Sequence, residues 1–156
     1  MTGWRIGYCG GPEHIIKAME NIQSQSTSNP TSISQVAAEA ALNGDQACIE
    51  PMVAAFTERN HFVTNRINVI PGLNCLLSEG AFYTFVDVRK AIETLHSRNE
   101  IKDRSDISFS EYLLEQIGVA VVPGSAFGSE GYVRMSFATS MDNLKNALDR
   151  IEKLLS

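Results

Sequence analysis

The chain has 156 residues, of which 44% are apolar and 20% charged, and it carries a net charge of -5. This length allows one ordinary domain that buries roughly two thirds of its unfolded surface. The acidic balance excludes the basic footprint of a nucleic-acid or anionic-membrane binder, so any anion handled here is met by individual arginines.

Cys9, Cys48 and Cys75 are odd in number and widely spaced, which argues against a disulfide framework and for a reducing compartment, with the cysteines serving as small buried hydrophobes. His14, His61 and His96 lack zinc-ligand spacing, so no metal site is expected. No apolar run is long enough to span a bilayer, and the chain reads as cytoplasmic.

At the start, Met1 to Tyr8 places Arg5 in an apolar, glycine-punctuated segment. If extended, it puts Trp4, Ile6 and Tyr8 on one side and Gly3, Arg5 and Gly7 on the other. The guanidinium requires an internal carboxylate or an anionic ligand, and the glycines clear space beside it. Gly10-Gly11-Pro12 ends this predicted strand and opens a helix striped by Ile15, Ile16, Met19 and Ile22. Gln23 to Ser34 is almost wholly polar and reads as a loop. A second helix is predicted from Ile33 to Leu42, stopped by Asn43-Gly44. A third runs from Ile49 to Asn68 with Pro51 in its first turn. Its apolar face carries Met52, Val53, Phe56, Phe62, Val63 and Ile67, with Glu58, Arg59 and Arg66 turned to solvent.

From Ile70 the pattern shortens. Pro71-Gly72 and Ser78-Glu79-Gly80 are turns around a brief strand at Asn74 to Leu77, and Ala81 to Val86 is a strand rich in aromatic and β-branched residues. Val88 to Leu95 is a helix and Ser97 to Asp106 a charged connector. Ser108 with Glu111 forms a capping box ahead of a helix from Phe109 to Ile117, which Gly118 stops. Val119 to Val122 is an apolar strand, Pro123 to Gly128 a small-residue loop and Tyr132 to Ala138 a further strand. Ser140 caps a last helix from Met141 to Leu155, with Leu144, Ala147, Leu148, Ile151 and Leu155 on one stripe. Arg134 interrupts a strand otherwise suited to burial, and Asp87, Glu79 or Glu130 is the candidate internal partner.

These segments resemble a known family. Met-Thr-Gly-Trp-Arg-Ile-Gly-Tyr is similar to the strand that follows the Schiff-base lysine in class I aminotransferases of the aspartate aminotransferase type, which use pyridoxal phosphate. Gly80-Ala81-Phe82-Tyr83 with Asp87, the run from Gly118 to Gly128, and Tyr132-Val133-Arg134 resemble further family motifs in the same order, so that the likeness covers nearly the whole chain.

The resemblance implies that Arg5 holds the cofactor phosphate and that Arg134 binds the substrate α-carboxylate by a two-pronged ion pair. It also implies that Ser28 and Asn29 of the Ser28-Asn29-Pro30 turn reach the partner subunit's active site in a homodimer. The expected fold is α/β, the C-terminal part of the pyridoxal-phosphate transferase fold. Residues 1–44 would be a remnant of the large cofactor domain, 45–68 the interdomain helix and 69–156 the small domain. The expected activity is transfer of an amino group between an amino acid, aspartate-like first, and a 2-oxo acid.

Ser24 stands where the best-known aspartate enzymes carry a side-chain-recognising arginine, which keeps aromatic or neutral amino acids open as substrates. The Schiff-base lysine is expected upstream of Met1, so that this chain contains no catalytic residue and is inactive alone. The remaining alternative is a non-catalytic folding or dimerisation module.

Overall fold

The computed structural model describes residues Met1 to Ser156. Its contacts divide the chain into two units, Met1–Ile49 and Glu50–Ser156.

The first unit contains helices α1 (Glu13–Ser26) and α2 (Ser32–Asn43). Pro12 flanks α1 as its N-cap, where a missing N–H costs no hydrogen bond. The polar composition of 23–34 concealed how far both helices reach: the connecting loop is only residues 27–31. Thr27 and Ser28 each donate a backbone N–H to Gln23 O, and Ser28 takes the left-handed conformation (φ 64°) that ends the helix. Met1 to Tyr8, expected as a strand, is a turn followed by irregular chain, and Arg5 has φ 51°. The unit contains no strand that could accept its backbone hydrogen bonds, and a lone strand has no ladder to hold it extended. One tether fixes it: the buried Ser34 hydroxyl donates to Trp4 O at 3.0 Å. The predicted stripe of α1 exists, but Ile15, Met19 and Ile22 remain exposed, because no element of this unit covers them.

The second unit is α/β. Helix α3 (Ile49–Ile67) leads into a four-stranded antiparallel sheet of β1 (Asn74–Cys75), β2 (Tyr83–Asp87), β3 (Val122–Pro123) and β4 (Tyr132–Ser136), in the order β1-β2-β4-β3. Helices α4 (Arg89–Ser97), α5 (Asp106–Ile117) and α6 (Met141–Leu155) complete it. Alternation along the strands sends Thr84, Val86, Val133 and Met135 inward and leaves Tyr83, Phe85, Tyr132 and Arg134 on the other face. Val86, Val133 and Met135 join Val63 and Ile67 of α3, Leu95 of α4, Phe109 and Leu113 of α5, and Leu144, Leu148, Ile151 and Leu155 of α6 in one core. Burying a Leu, Ile or Phe contributes about 1.5–3 kcal/mol each, so this cluster dominates the unit's stability.

Several local expectations change once neighbours are present. Only the C-terminal half of the α3 stripe is buried: Met52 and Val53 are exposed, whereas Val63 and Ile67 meet the core. Arg66 is not simply solvated, since its guanidinium bridges Asp149 and Glu152 of α6. The cap of α5 is Ser105, not Ser108: Ser105 Oγ accepts the Ser108 N–H at 3.1 Å. Asp103 moves the start earlier by accepting from the Ser105 amide and from the hydroxyls of Ser105 and Ser108. Gly118 ends α5 in the left-handed conformation, φ 64°. Val119 to Val121 then serve as the return to the sheet, so the predicted strand shrinks to β3. Cys75 alone is a buried thiol; Cys9 and Cys48 are exposed.

Candidate functional site

The open face of the sheet in the second unit gathers the aromatic residues and one arginine. In the β2–β4 register Phe85 lies opposite Arg134, and Asp87 opposite Tyr132. Phe85 and Tyr132 stack with ring centres 5.3 Å apart, and Phe127 meets the Phe85 ring edge-on at 6.4 Å. Arg134 Cζ lies 4.2 Å from the centre of the Tyr83 ring and 4.4 Å from that of Phe127. The guanidinium is therefore held between two π-faces, each attractive to a cation.

Arg134 makes no salt bridge; the carboxylates considered as partners, Asp87, Glu79 and Glu130, do not pair with it. Asp87 is taken by Arg89, which donates Nε to Oδ1 at 3.0 Å and Nη2 to Oδ2. This bond holds the Asp87 carboxyl below the usual carboxylate range and pushes the Arg89 guanidinium up. The cleft beside Gly72, Asn74, Asp87 and Arg89 thus contains an ion pair already satisfied, while no carboxylate of this chain pairs with Arg134.

Phe127 reaches this position from a 3-10 turn, Gly124–Phe127. The turn is closed by Gly128 N–H to Ser125 O and by Ser129 N–H to Gly124 O, each 3.0 Å. A Cβ at Gly124 would collide with Ser129 O and Tyr132 O, so only glycine lets the turn lie this close to the sheet.

Arg5, Ser28 and Asn29 belong to the first unit and Arg134 to the second. Arg5 is exposed and makes no salt bridge, and a Cβ added at Gly3 or Gly7 would meet nothing within 4 Å. Gly3 and Arg5 lie in or beside a turn, not in the expected strand. Ser28 and Asn29 are exposed on the α1–α2 loop, whose base is held by Gln35 Nε2 donating to Pro30 O at 2.8 Å. No hydrogen bond joins either of them to Arg5. The apolar groove lined by Ile6, Tyr8, Pro30 and Leu42 has Glu39 as its sole charged side chain, which makes it a poor anion site.

Sequence reasoning missed Tyr83 and Phe127 as flanks of Arg134, placing the one in a strand and the other in a small-residue loop. The available signal was an aromatic residue at the end of a small-residue loop, directly before a strand containing a lone arginine.

Comparison with known proteins matches residues 1–151 to the profile of the family described as aminotransferase class I and II. An aspartate/prephenate aminotransferase from Nitrosomonas europaea is 69% identical over 156 residues, which are 100% of this chain and 39% of that protein. The crystal structure of the aspartate aminotransferase from Rhizobium meliloti aligns with a TM-score of 0.80 at 46% identity, over 99% of this chain and 38% of that one. An aromatic aminotransferase from Pyrococcus horikoshii aligns equally, TM-score 0.80 at 37% identity, over 99% of this chain and 39% of its own. The chain thus spans about two fifths of the length of the proteins it matches.

Proposed function

We propose, because the chain belongs to the class I and II aminotransferase family, that it is the C-terminal portion of a pyridoxal-phosphate enzyme that moves an amino group between an amino acid and a 2-oxo acid. The observation that carries this reading is Arg134: a guanidinium without an internal carboxylate, held between Tyr83 and Phe127 on an open sheet face. Its planar fork suits two-pronged binding of the substrate α-carboxylate, and charge-assisted bonds of this kind are worth about 1.5–3 kcal/mol each.

Residues present here fit the cofactor's charge. Arg5 carries an exposed, unpaired guanidinium with open space at the neighbouring glycines, and would hold the phosphate. Bound pyridoxal phosphate supplies an electron sink that stabilises the negative charge developing at the amino acid's α-carbon. Arg134 fixes the substrate's carboxyl end and so sets which α-substituent is presented for proton removal. Ser28 and Asn29, on their short loop, would complete the site of the partner subunit in a cytoplasmic homodimer. Residues 1–44 would then be part of the cofactor domain, 45–68 the connecting helix and 69–156 the small domain.

None of the chain's lysines, Lys17, Lys90, Lys102, Lys145 and Lys153, follows a serine as the family's Schiff-base lysine does, so the 156-residue chain is inactive alone. Aspartate is the first candidate substrate, in line with the relatives. A neutral or aromatic amino acid is the second, because the Ser24 hydroxyl donates to Asn21 O of its own helix at 2.9 Å and offers no charge to a side-chain carboxylate.

The test is steady-state kinetics of the full-length enzyme with aspartate, alanine and phenylalanine against 2-oxoglutarate, beside the 156-residue chain. Turnover preferring aspartate in the long protein only is the expected result. Preference for phenylalanine selects the second substrate, and turnover by the short chain refutes its inactivity.

A further inference from the structure

We propose that Asp106 is a positioning residue for Arg134, acting through the Gly124–Phe127 turn; the inference rests on Arg134 being the carboxylate-binding arginine. Asp106 is the first residue of α5 and is only 2% exposed, unusual burial for an acidic side chain. Its Oδ2 accepts the Ser125 N–H at 2.6 Å. That amide lies at the start of the 3-10 turn, where the backbone donors lack partners within the turn itself. Two residues on, Phe127 lays its ring against the Arg134 guanidinium.

Phe127 is itself 48% exposed, so few side chains hold it in place, and its position follows from its backbone. The Asp106–Ser125 bond is the side-chain link between that backbone and the buried end of α5. Asp106 is fixed in turn, because Ser105 caps the helix and the Ser110 hydroxyl donates to Asp106 O at 2.7 Å. Without the acceptor, the Ser125 amide is orphaned and the turn loosens. Arg134 then loses the Phe127 face and samples other rotamers in the free enzyme, which weakens carboxylate binding, while bound substrate holds Arg134 in its productive place and the chemistry after binding is unchanged.

The test uses the full-length enzyme with the substitutions Asp106→Ser, which suits a helix start but falls short of Ser125, and Asp106→Asn, which keeps an acceptor oxygen. Asp106→Ser is expected to raise KM for the amino acid about 5- to 30-fold, the range of a lost cation–π contact, with kcat within about twofold. Asp106→Asn is expected to restore KM to within about threefold of wild type. On a Phe127→Leu background, Asp106→Ser is expected to add less than about twofold, because residues acting through one another are not additive.

Binding of succinate and of 3-phenylpropionate, followed by calorimetry, gives a readout apart from turnover. A wild-type enzyme that neither turns over nor binds either acid overturns the reading of Arg134 and this inference with it. A wild type that does both, with Asp106→Ser leaving KM unchanged, lowering kcat alone, or acting in full without Phe127, overturns the role of Asp106 alone.

Discussion

Arg134 lies diagonally across the β2–β4 pair from Tyr83, two positions from the Phe85 directly opposite it, with its Cζ 4.2 Å from the Tyr83 ring centre. Long side chains reach such diagonal neighbours in an antiparallel pair. The aromatic face steadies the cation without neutralising it, and no salt bridge of this chain occupies the guanidinium.

Replacing Arg134 is therefore expected to damage function more than stability. In the full-length enzyme, Arg134→Lys is expected to lower kcat/KM about 10- to 100-fold, equivalent to losing one charge-assisted hydrogen bond. The melting temperature is expected to hold within about 2 °C, since no buried carboxylate is left unpaired. Steady-state kinetics beside thermal melts check both. A large fall in melting temperature would show that the guanidinium is structural.

Arg66 ties the end of α3 to α6 through Asp149 and Glu152. All three groups are partly exposed, so Arg66→Ala is expected to cost roughly 0.5–1 kcal/mol, with the difference shrinking in 1 M salt. Denaturant unfolding at low and high salt measures it. An effect independent of salt would place the contribution in the packing of the Arg66 stem.

Acid is expected to weaken the second unit through Asp87 and Asp103. The Arg89 hydrogen bond lowers the Asp87 pKa, and hydrogen bonds from Ser105 and Ser108 lower that of Asp103. A carboxyl depressed in the folded state adds stability that is present above its unfolded pKa, near 4, and is lost as the pH falls through the folded value. Melting temperature recorded from about pH 6 to 2 should decline less steeply in Asp87→Asn/Asp103→Asn than in the unsubstituted chain. Parallel curves would mean that neither carboxyl contributes.

Local stability differs between the two units. The apolar side chains of α1 are exposed, whereas α6 buries Leu144, Leu148, Ile151 and Leu155. In the 156-residue chain, amides of α1 are expected to exchange at least about 100-fold faster than those of α6, because exchange follows local opening. Hydrogen exchange read by NMR or mass spectrometry tests this, and equal protection would refute it.

Much was legible before any fold was known, and the legible parts share a cause. Helix α6 runs from Met141 to Leu155 as expected, because its apolar stripe and the Ser140 cap, which accepts the Asn143 N–H, are properties of neighbouring residues. Gly118 ends α5 for an equally local reason, the left-handed conformation that suits glycine. The order of family-like motifs and the choice of Arg134 as the residue to explain were also present in the sequence.

What only the tertiary structure decided involves partners distant along the chain. Whether Met1 to Tyr8 forms a strand depends on a neighbouring strand, and its unit supplies none. Whether Arg134 meets a carboxylate or an aromatic ring depends on which residues of β2 and of the Gly124–Phe127 turn come beside it, and those lie far from it or across a turn. Asp106 looked like the end of a charged connector until the fold brought it under the amide of Ser125. Local propensity and periodicity are set by the order of residues, whereas a buried polar group's partner is set by which surfaces fold together.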